Sequence, residues 1–133
     1  MLEKKEIQVN QISGIITTLQ EEHHIEACIR SLQTFCSEVI VVDSGSSDRT
    51  VEIAESLGAK VYHQPYLGDG IQKNVGLKYV ANDWVFSLDA DERVTEGLAQ
   101  KISDIDLSQS RFDAFAVRRK NYIGQRWIKH CGW

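Results

Sequence analysis

Cysteine and proline are scarce in this chain. Cys28, Cys36 and Cys131 are its three thiols and Pro65 its one proline. The odd number, and the absence of any close metal-ligand spacing, argue against a disulfide framework or a structural zinc site and for free thiols in a reducing compartment. Cys28 sits in an apolar helical pattern, so it reads as a core residue rather than a nucleophile. Long apolar runs are also missing. None approaches the roughly 20 residues that span a bilayer. The stretch Met1–Glu6 is charged and lacks the apolar centre of a signal peptide. A cytoplasmic location is expected. Excess positive charge is absent too. Fifteen Lys and Arg against nineteen Asp and Glu give a net charge of −4, which argues against general nucleic-acid binding.

The charge is unevenly spread. Residues 1–110 hold nine Lys/Arg and eighteen Asp/Glu, whereas 111–133 hold six Lys/Arg and only Asp113. That basic end suits a phosphate or an anionic membrane surface, and equally a solvated face. The length, 133 residues, suits one domain with a real core.

Along the chain, short apolar runs alternate with helical patterns. Ser13–Thr17 reads as a strand. "EEHHIEACIRSLQTF" follows with Ile25, Cys28, Ile29 and Leu32 at helical spacing. Glu38–Asp43 is a β-branched run that suits a parallel strand buried on both faces. Ser44–Asp48 is a turn, and a helix after it carries Val51, Ala54 and Leu57 on one face, ended by Gly58. Ala59–His63 is a third strand and Gln64–Gly70 a loop. Ile71–Val80 reads as a helix with Ile71, Val75 and Tyr79 on one side. Trp84–Leu88 is a fourth strand, and Thr95 caps a helix carrying Leu98, Ile102 and Ile105. The remainder is extended, with a turn at Gly124. The order βαβαβαβ predicts an α/β protein with a mainly parallel sheet. Ligands of such sheets sit outside the carboxyl ends of the strands.

Acids occupy those ends. Trp84–Leu88 runs straight into Asp89-Ala90-Asp91-Glu92. If the extended geometry continues, Asp89 and Asp91 point one way and Glu92 the other. Clustered carboxylates are relieved by a hard cation such as Mg²⁺ or Mn²⁺, whose free coordination sites a diphosphate can fill. A polar turn with solvated acids is the equal alternative. Asp43, ending the second strand, suits a ribose hydroxyl or a base N–H, or simply starts the turn at Ser44-Gly45. A nicotinamide cofactor is disfavoured, because "TTLQEEHH" follows the first strand without glycine. In "GDGIQKNVGL", Lys73 is either an exposed helical lysine or a diphosphate or base contact. Gly76 within that helix suggests close approach of another group. His23 and His24, adjacent on a helix, cannot easily share a metal and read as surface or capping residues. Trp127 and Trp133 read as core or as a sugar-stacking wall.

Four stretches in this order, "IITTLQEEHHIEACIRSL", "EVIVVDSGSSDRTVEIAESLGAKV", "GDGIQKNVGL" and "WVFSLDADERV", resemble family 2 glycosyltransferases of the GT-A fold. The tail "RRKNYIGQRWIKHCGW" is similar to the subgroup with lipopolysaccharide-core β-1,4-glucosyltransferases. The resemblance implies an α/β/α sandwich and an inverting hexosyltransferase using a nucleotide diphosphate sugar, a divalent metal and a glycan or glycolipid acceptor. It further implies that Thr17 and the loop after it, with Glu21, line the nucleoside pocket, that Asp43 bonds the base and that Lys73 lies beside the nucleotide. Asp89 and Asp91 match the D-x-D motif, Asp91 being the closer metal ligand. Two departures stand out. Leu19-Gln20 replaces the usual Tyr-Asn or Lys-Asn, and the general base of the related proteins falls beyond residue 133. The expectation is a donor-binding domain over 1–133 that lacks the acceptor-side segment, with peripheral association at the cytoplasmic face of a membrane. A catalytically incomplete nucleotide-sugar-binding module is the alternative. A haloacid-dehalogenase-type phosphatase is disfavoured by Arg93, and by a motif on the fourth strand rather than the first. A sugar nucleotidylyltransferase is disfavoured by the lack of a Gly-rich basic loop after the first strand.

Overall fold

The structure, a computed structural model, describes residues 11–130. The charged stretch 1–10, Cys131 and Trp133 lie outside the described residues. Four strands, β1 (Ile12–Thr18), β2 (Glu38–Asp43), β3 (Lys60–His63) and β4 (Trp84–Asp89), form one sheet in the order β3-β2-β1-β4. All three pairings are parallel. Helices α1 (Ile25–Gln33), α2 (Thr50–Ser56) and α3 (Asp69–Leu77) are the crossovers, and α4 (Glu96–Asp104) follows β4. The architecture is the expected α/β type with a mainly parallel sheet.

The β-branched run of β2 is buried from Val39 to Asp43, as a strand covered on both faces requires. One face of the sheet carries the main core, where Ile12, Ile16, Val39 and Val41 pack with Ile25, Cys28, Ile29 and Leu32 of α1. On the other face α3 lies against β1 and β2, with Gly76 over Ile15 and Val42. Thr95 caps α4 by accepting from Leu98 N–H at 3.3 Å, and Gly58 ends α2 at φ 81°.

Helix α3 does not seat on the apolar side that Ile71, Val75 and Tyr79 mark. Its buried residues are Gln72 and Gly76, while Ile71 and Tyr79 are exposed. The helix turns its least bulky position to the sheet because the ledge formed by Ile15 and Val42 leaves no room for a side chain there. Tyr79 instead stacks on Tyr62 at the flank, centroids 3.6 Å apart. The final stretch forms an antiparallel hairpin, β5 (Asn121–Ile123) and β6 (Arg126–Ile128), turning at Gly124.

Candidate functional site

The chain order reverses at β1, since β2 and β3 extend the sheet one way and β4 the other. At such a switch point the loops diverge and leave a crevice. Here Thr17 is in register with Asp89, and Thr18 with Asp43. A cavity of about 430 Å³ opens at this place, within the usual range for small-molecule sites. Of the six candidate residues, Thr17, Glu21, Lys73, Asp89 and Asp91 line it and Asp43 does not.

Asp89 is held from several sides. Its Oδ1 accepts from Thr17 Oγ1 at 3.3 Å and stands 3.1 Å from Lys73 Nζ. Lys73 is thus engaged with Asp89 rather than pointing freely into water. The extended geometry stops at Asp89, so the expected alternation of Asp89, Asp91 and Glu92 does not occur. A turn replaces it, with Glu92 N–H donating to Asp89 O at 2.9 Å. Glu92 folds back so that its Oε2 accepts from Asp89 N–H at 3.0 Å, and its Oε1 pairs with Arg119 at 3.1 Å. Two orphan groups of the strand end are satisfied this way. Glu92 is therefore a brace, and Asp91 is left exposed with no hydrogen bond or ion pair among the described residues.

Asp43 is almost wholly buried. Its carboxylate accepts from Gly45 N–H and Ser46 N–H, both at 2.9 Å, and from Ser46 Oγ at 2.6 Å. It shapes the turn by which Ser44 reaches the cavity. Gln20 adds a second tie, accepting at Oε1 from Ser47 N–H at 2.7 Å and Asp48 N–H at 3.1 Å. The loops after β1 and β2 are thereby joined at the rim.

Cys28 lies under the same strand end, with Sγ 3.5 Å from Asp89 O. Burial first, then the charges of Glu92, Asp91 and Asp89, push its thiol up to about 12. It is a protonated core residue, as its helical pattern indicates. His23 and His24 are surface residues, and His24 pairs with Glu21 at 2.7 Å. Trp127 is half exposed between Lys120 and Lys129, 5.2 and 5.0 Å from its ring. It is not a core residue.

The profile of glycosyl transferase family 2 matches residues 13–130. The chain belongs to this family. A glycosyltransferase of Rickettsia bellii is 43% identical over 91% of this chain and 41% of its own length. A lipopolysaccharide core biosynthesis glycosyltransferase of Rhizobium meliloti is 30% identical over 84% of this chain and 43% of its own. The chain therefore spans about two-fifths of the length of these two relatives. Glucosyl-3-phosphoglycerate synthase from Mycobacterium tuberculosis, solved with Mn²⁺, uridine diphosphate and glucosyl-3-phosphoglycerate, superposes with a TM-score of 0.55 at 30% identity, covering 62% of this chain and 35% of that one.

The donor set of this family 2 chain can be tested against a divalent metal. Among the described residues no group of three His, Cys, Asp or Glu is arranged to hold an ion. Two carboxylates at a cavity suit Mg²⁺ or Mn²⁺, which commonly take one or two carboxylates and complete their shell with substrate phosphates and water. The lining supports this, because Glu21, Asp69, Asp89 and Asp91 face one cation, Lys73. A diphosphate would be repelled from such a cavity unless a cation came with it. The residues present fit the metal.

The loop after Thr17 lines the cavity through Thr18 and Leu19, as expected, whereas sequence reasoning missed Ser44, Tyr66, Asp69 and Gln72. Gln72 had a signal. It precedes Gly76 by four residues, so the two share one helix face, but the apolar spacing of Ile71, Val75 and Tyr79 outweighed it.

Proposed function

We propose that the chain forms the donor-binding part of an inverting hexosyltransferase. The donor is a nucleotide diphosphate sugar of UDP-glucose type and the acceptor a hydroxyl of a glycan or glycolipid. The observation that carries this is the cavity at the β1/β4 switch point, where Asp89, Asp91 and Lys73 converge. Asp91, exposed, and Asp89 would hold Mg²⁺ or Mn²⁺. Such an ion offsets the charge that develops on the leaving diphosphate. Lys73, on leaving Asp89, becomes a second positive contact for the diphosphate. Thr17 keeps Asp89 oriented, and Thr17 with Glu21 lines the nucleoside side. Asp43 keeps one acceptor site on Oδ1 beside its bond from Ser46 Oγ, and through it would bond the base.

A cell-surface polysaccharide or lipopolysaccharide role is supported by the Rhizobium meliloti relative. Work at the cytoplasmic face of a membrane fits the exposed Arg118, Lys120, Trp127 and Lys129. The chain is expected to bind donor and metal. The test is a thermal-shift and calorimetry screen of UDP, GDP, dTDP and CDP, each with Mg²⁺, with Mn²⁺ and with neither. UDP binding strengthened by metal, and losing that strengthening in Asp91→Ala, supports the reading. No nucleotide bound under any condition ends it. UDP released from UDP-glucose onto a glycan shows a complete transferase, and binding without release shows a donor-binding module.

A further inference from the structure

Among the described residues, two buried side-chain polar atoms have no hydrogen-bond partner, Gln72 Oε1 and Thr18 Oγ1. Both residues line the cavity, and they are only 1% and 5% exposed. Buried polar atoms are nearly always paired, so two orphans on one cavity call for an explanation.

The chemistry of the amide says which kind of partner is wanted. Gln72 Nε2 donates to the backbone oxygen of Gln64 at 3.0 Å and to Ser44 Oγ at 2.9 Å. A backbone oxygen only accepts, so reversing the amide would set two oxygens against each other. Oε1 is therefore fixed as an acceptor, and what it lacks is an N–H or O–H. Nor does the side chain have an easy way out. Gly76, one turn further along α3, has Ile15 Cγ2 2.7 Å from where a Cβ would sit, so the helix is seated directly on the sheet and carries Gln72 with it.

The cavity's one cation lies to one side. Lys73 pairs with Asp89 where β4 ends, beside Asp91, while Gln72 is bonded to Ser44 after β2 and to Gln64 after β3, with β1 lying between in the sheet. Glu21 and Asp69 line the cavity away from the end of β4 and carry no positive charge to hold a phosphate. A nucleoside diphosphate with its charged groups at β4 has its uncharged nucleoside on the Gln72 side. We infer that Gln72 Oε1 recognises the donor nucleoside by accepting a hydrogen bond from it, with Thr18 Oγ1 as a second partner. The group accepted is the imide N–H of a base such as uracil or a hydroxyl of the ribose. This rests on the donor-site reading given above and adds the residue that selects the nucleoside.

The test is a cycle of ligand and protein changes read by calorimetry in Mn²⁺. The ligands are UDP, N3-methyl-UDP, 2′-deoxy-UDP and 3′-deoxy-UDP, and the proteins are the full chain and Gln72→Met. One altered ligand is expected to bind the unchanged protein roughly five- to tenfold more weakly than UDP, the worth of one neutral hydrogen bond. Gln72→Met is expected to lose a similar factor for UDP and nothing further for that ligand. Loss on N3-methylation assigns the base, and loss on removal of a hydroxyl assigns the ribose. If every alteration weakens Gln72→Met as much as the unchanged protein, the inference is overturned while the donor site stands. If all altered ligands bind the unchanged protein as tightly as UDP, it is overturned whether or not Gln72→Met folds. Failure of the unchanged protein to bind any nucleoside diphosphate overturns both readings together.

Discussion

A methyl group at Gly76 would lie 2.7 Å from Ile15 Cγ2 and 3.3 Å from Val42 Cγ2. Alanine improves helix propensity by about 1 kcal/mol, whereas forcing a carbon into a filled core costs about 1–3 kcal/mol. Ile15 and Val42 are fully buried and have little room to yield, so crowding wins. Gly76→Ala is expected to lower unfolding free energy by about 1–2 kcal/mol in urea titration, and a gain in stability would contradict the packing described. At Cys28 the folded thiol titrates at about 12 instead of its ordinary 9.0. The native state keeps its proton where the unfolded chain has lost it. Stability is therefore unaffected below about 9 and falls as pH rises towards 12, by at most about 1.4 kcal/mol per pH unit from this group. Unfolding measured at pH 8 and pH 10.5 under reducing conditions should show a smaller loss in Cys28→Ser than in the unchanged protein. An equal loss would mean that Cys28 is not shielded. These two residues were legible from the sequence, Gly76 as a glycine out of place in a helix and Cys28 as part of an apolar stripe. Asp43 was less so. The sequence allowed a ligand partner or a turn residue, and the hydrogen bonds from Gly45 and Ser46 show the turn.

At the scale of elements, the strands and helices follow the apolar spacing, because burial on a sheet or helix face is what the spacing encodes. Helix boundaries moved by a few residues. The apolar spacing of Ile71, Val75 and Tyr79 did not reveal which side of α3 meets the sheet, because a helix can be seated by its smallest residue as well as by its largest. Past β4 the alternation does not run on, because it holds only while the chain stays extended and the turn closed by Glu92 ends it. The loop after β1 depends on Gln20, held at φ 56°, a left-handed conformation that costs a non-glycine residue about 1–2 kcal/mol. Its side-chain amide bridges Ser47 and Asp48, and its backbone N–H donates to Ser46 Oγ at 2.8 Å. Gln20→Ala loses the side-chain bonds and keeps the strain, whereas Gln20→Gly loses the bonds and relieves it. Thermal denaturation should rank the unchanged protein above Gln20→Gly and Gln20→Gly above Gln20→Ala. Alanine above glycine would show that the left-handed conformation carries no cost there.

For the whole molecule, ligand binding adds to folding free energy by mass action, about 2.7 kcal/mol at a hundredfold excess over Kd. In a domain of this size that is a rise in Tm on the order of 10 °C. UDP with Mn²⁺ is expected to give such a rise and chelation to reverse its metal-dependent part. Asp91→Ala should show only the metal-independent remainder, and a full shift in that variant would remove Asp91 from the site. The sequence by itself determined the parallel α/β architecture, the family and the strand ends at which acids collect, because these depend on local spacing and on residue order. Tertiary structure alone decided which acids meet a cation, which one became a brace, and which uncharged side chains complete the cavity. Asp89 finds Lys73, and Gln72 finds Ser44 and Gln64, across separations that no local pattern spans. Such pairings are selected by where parallel strands and their crossovers bring distant loops together.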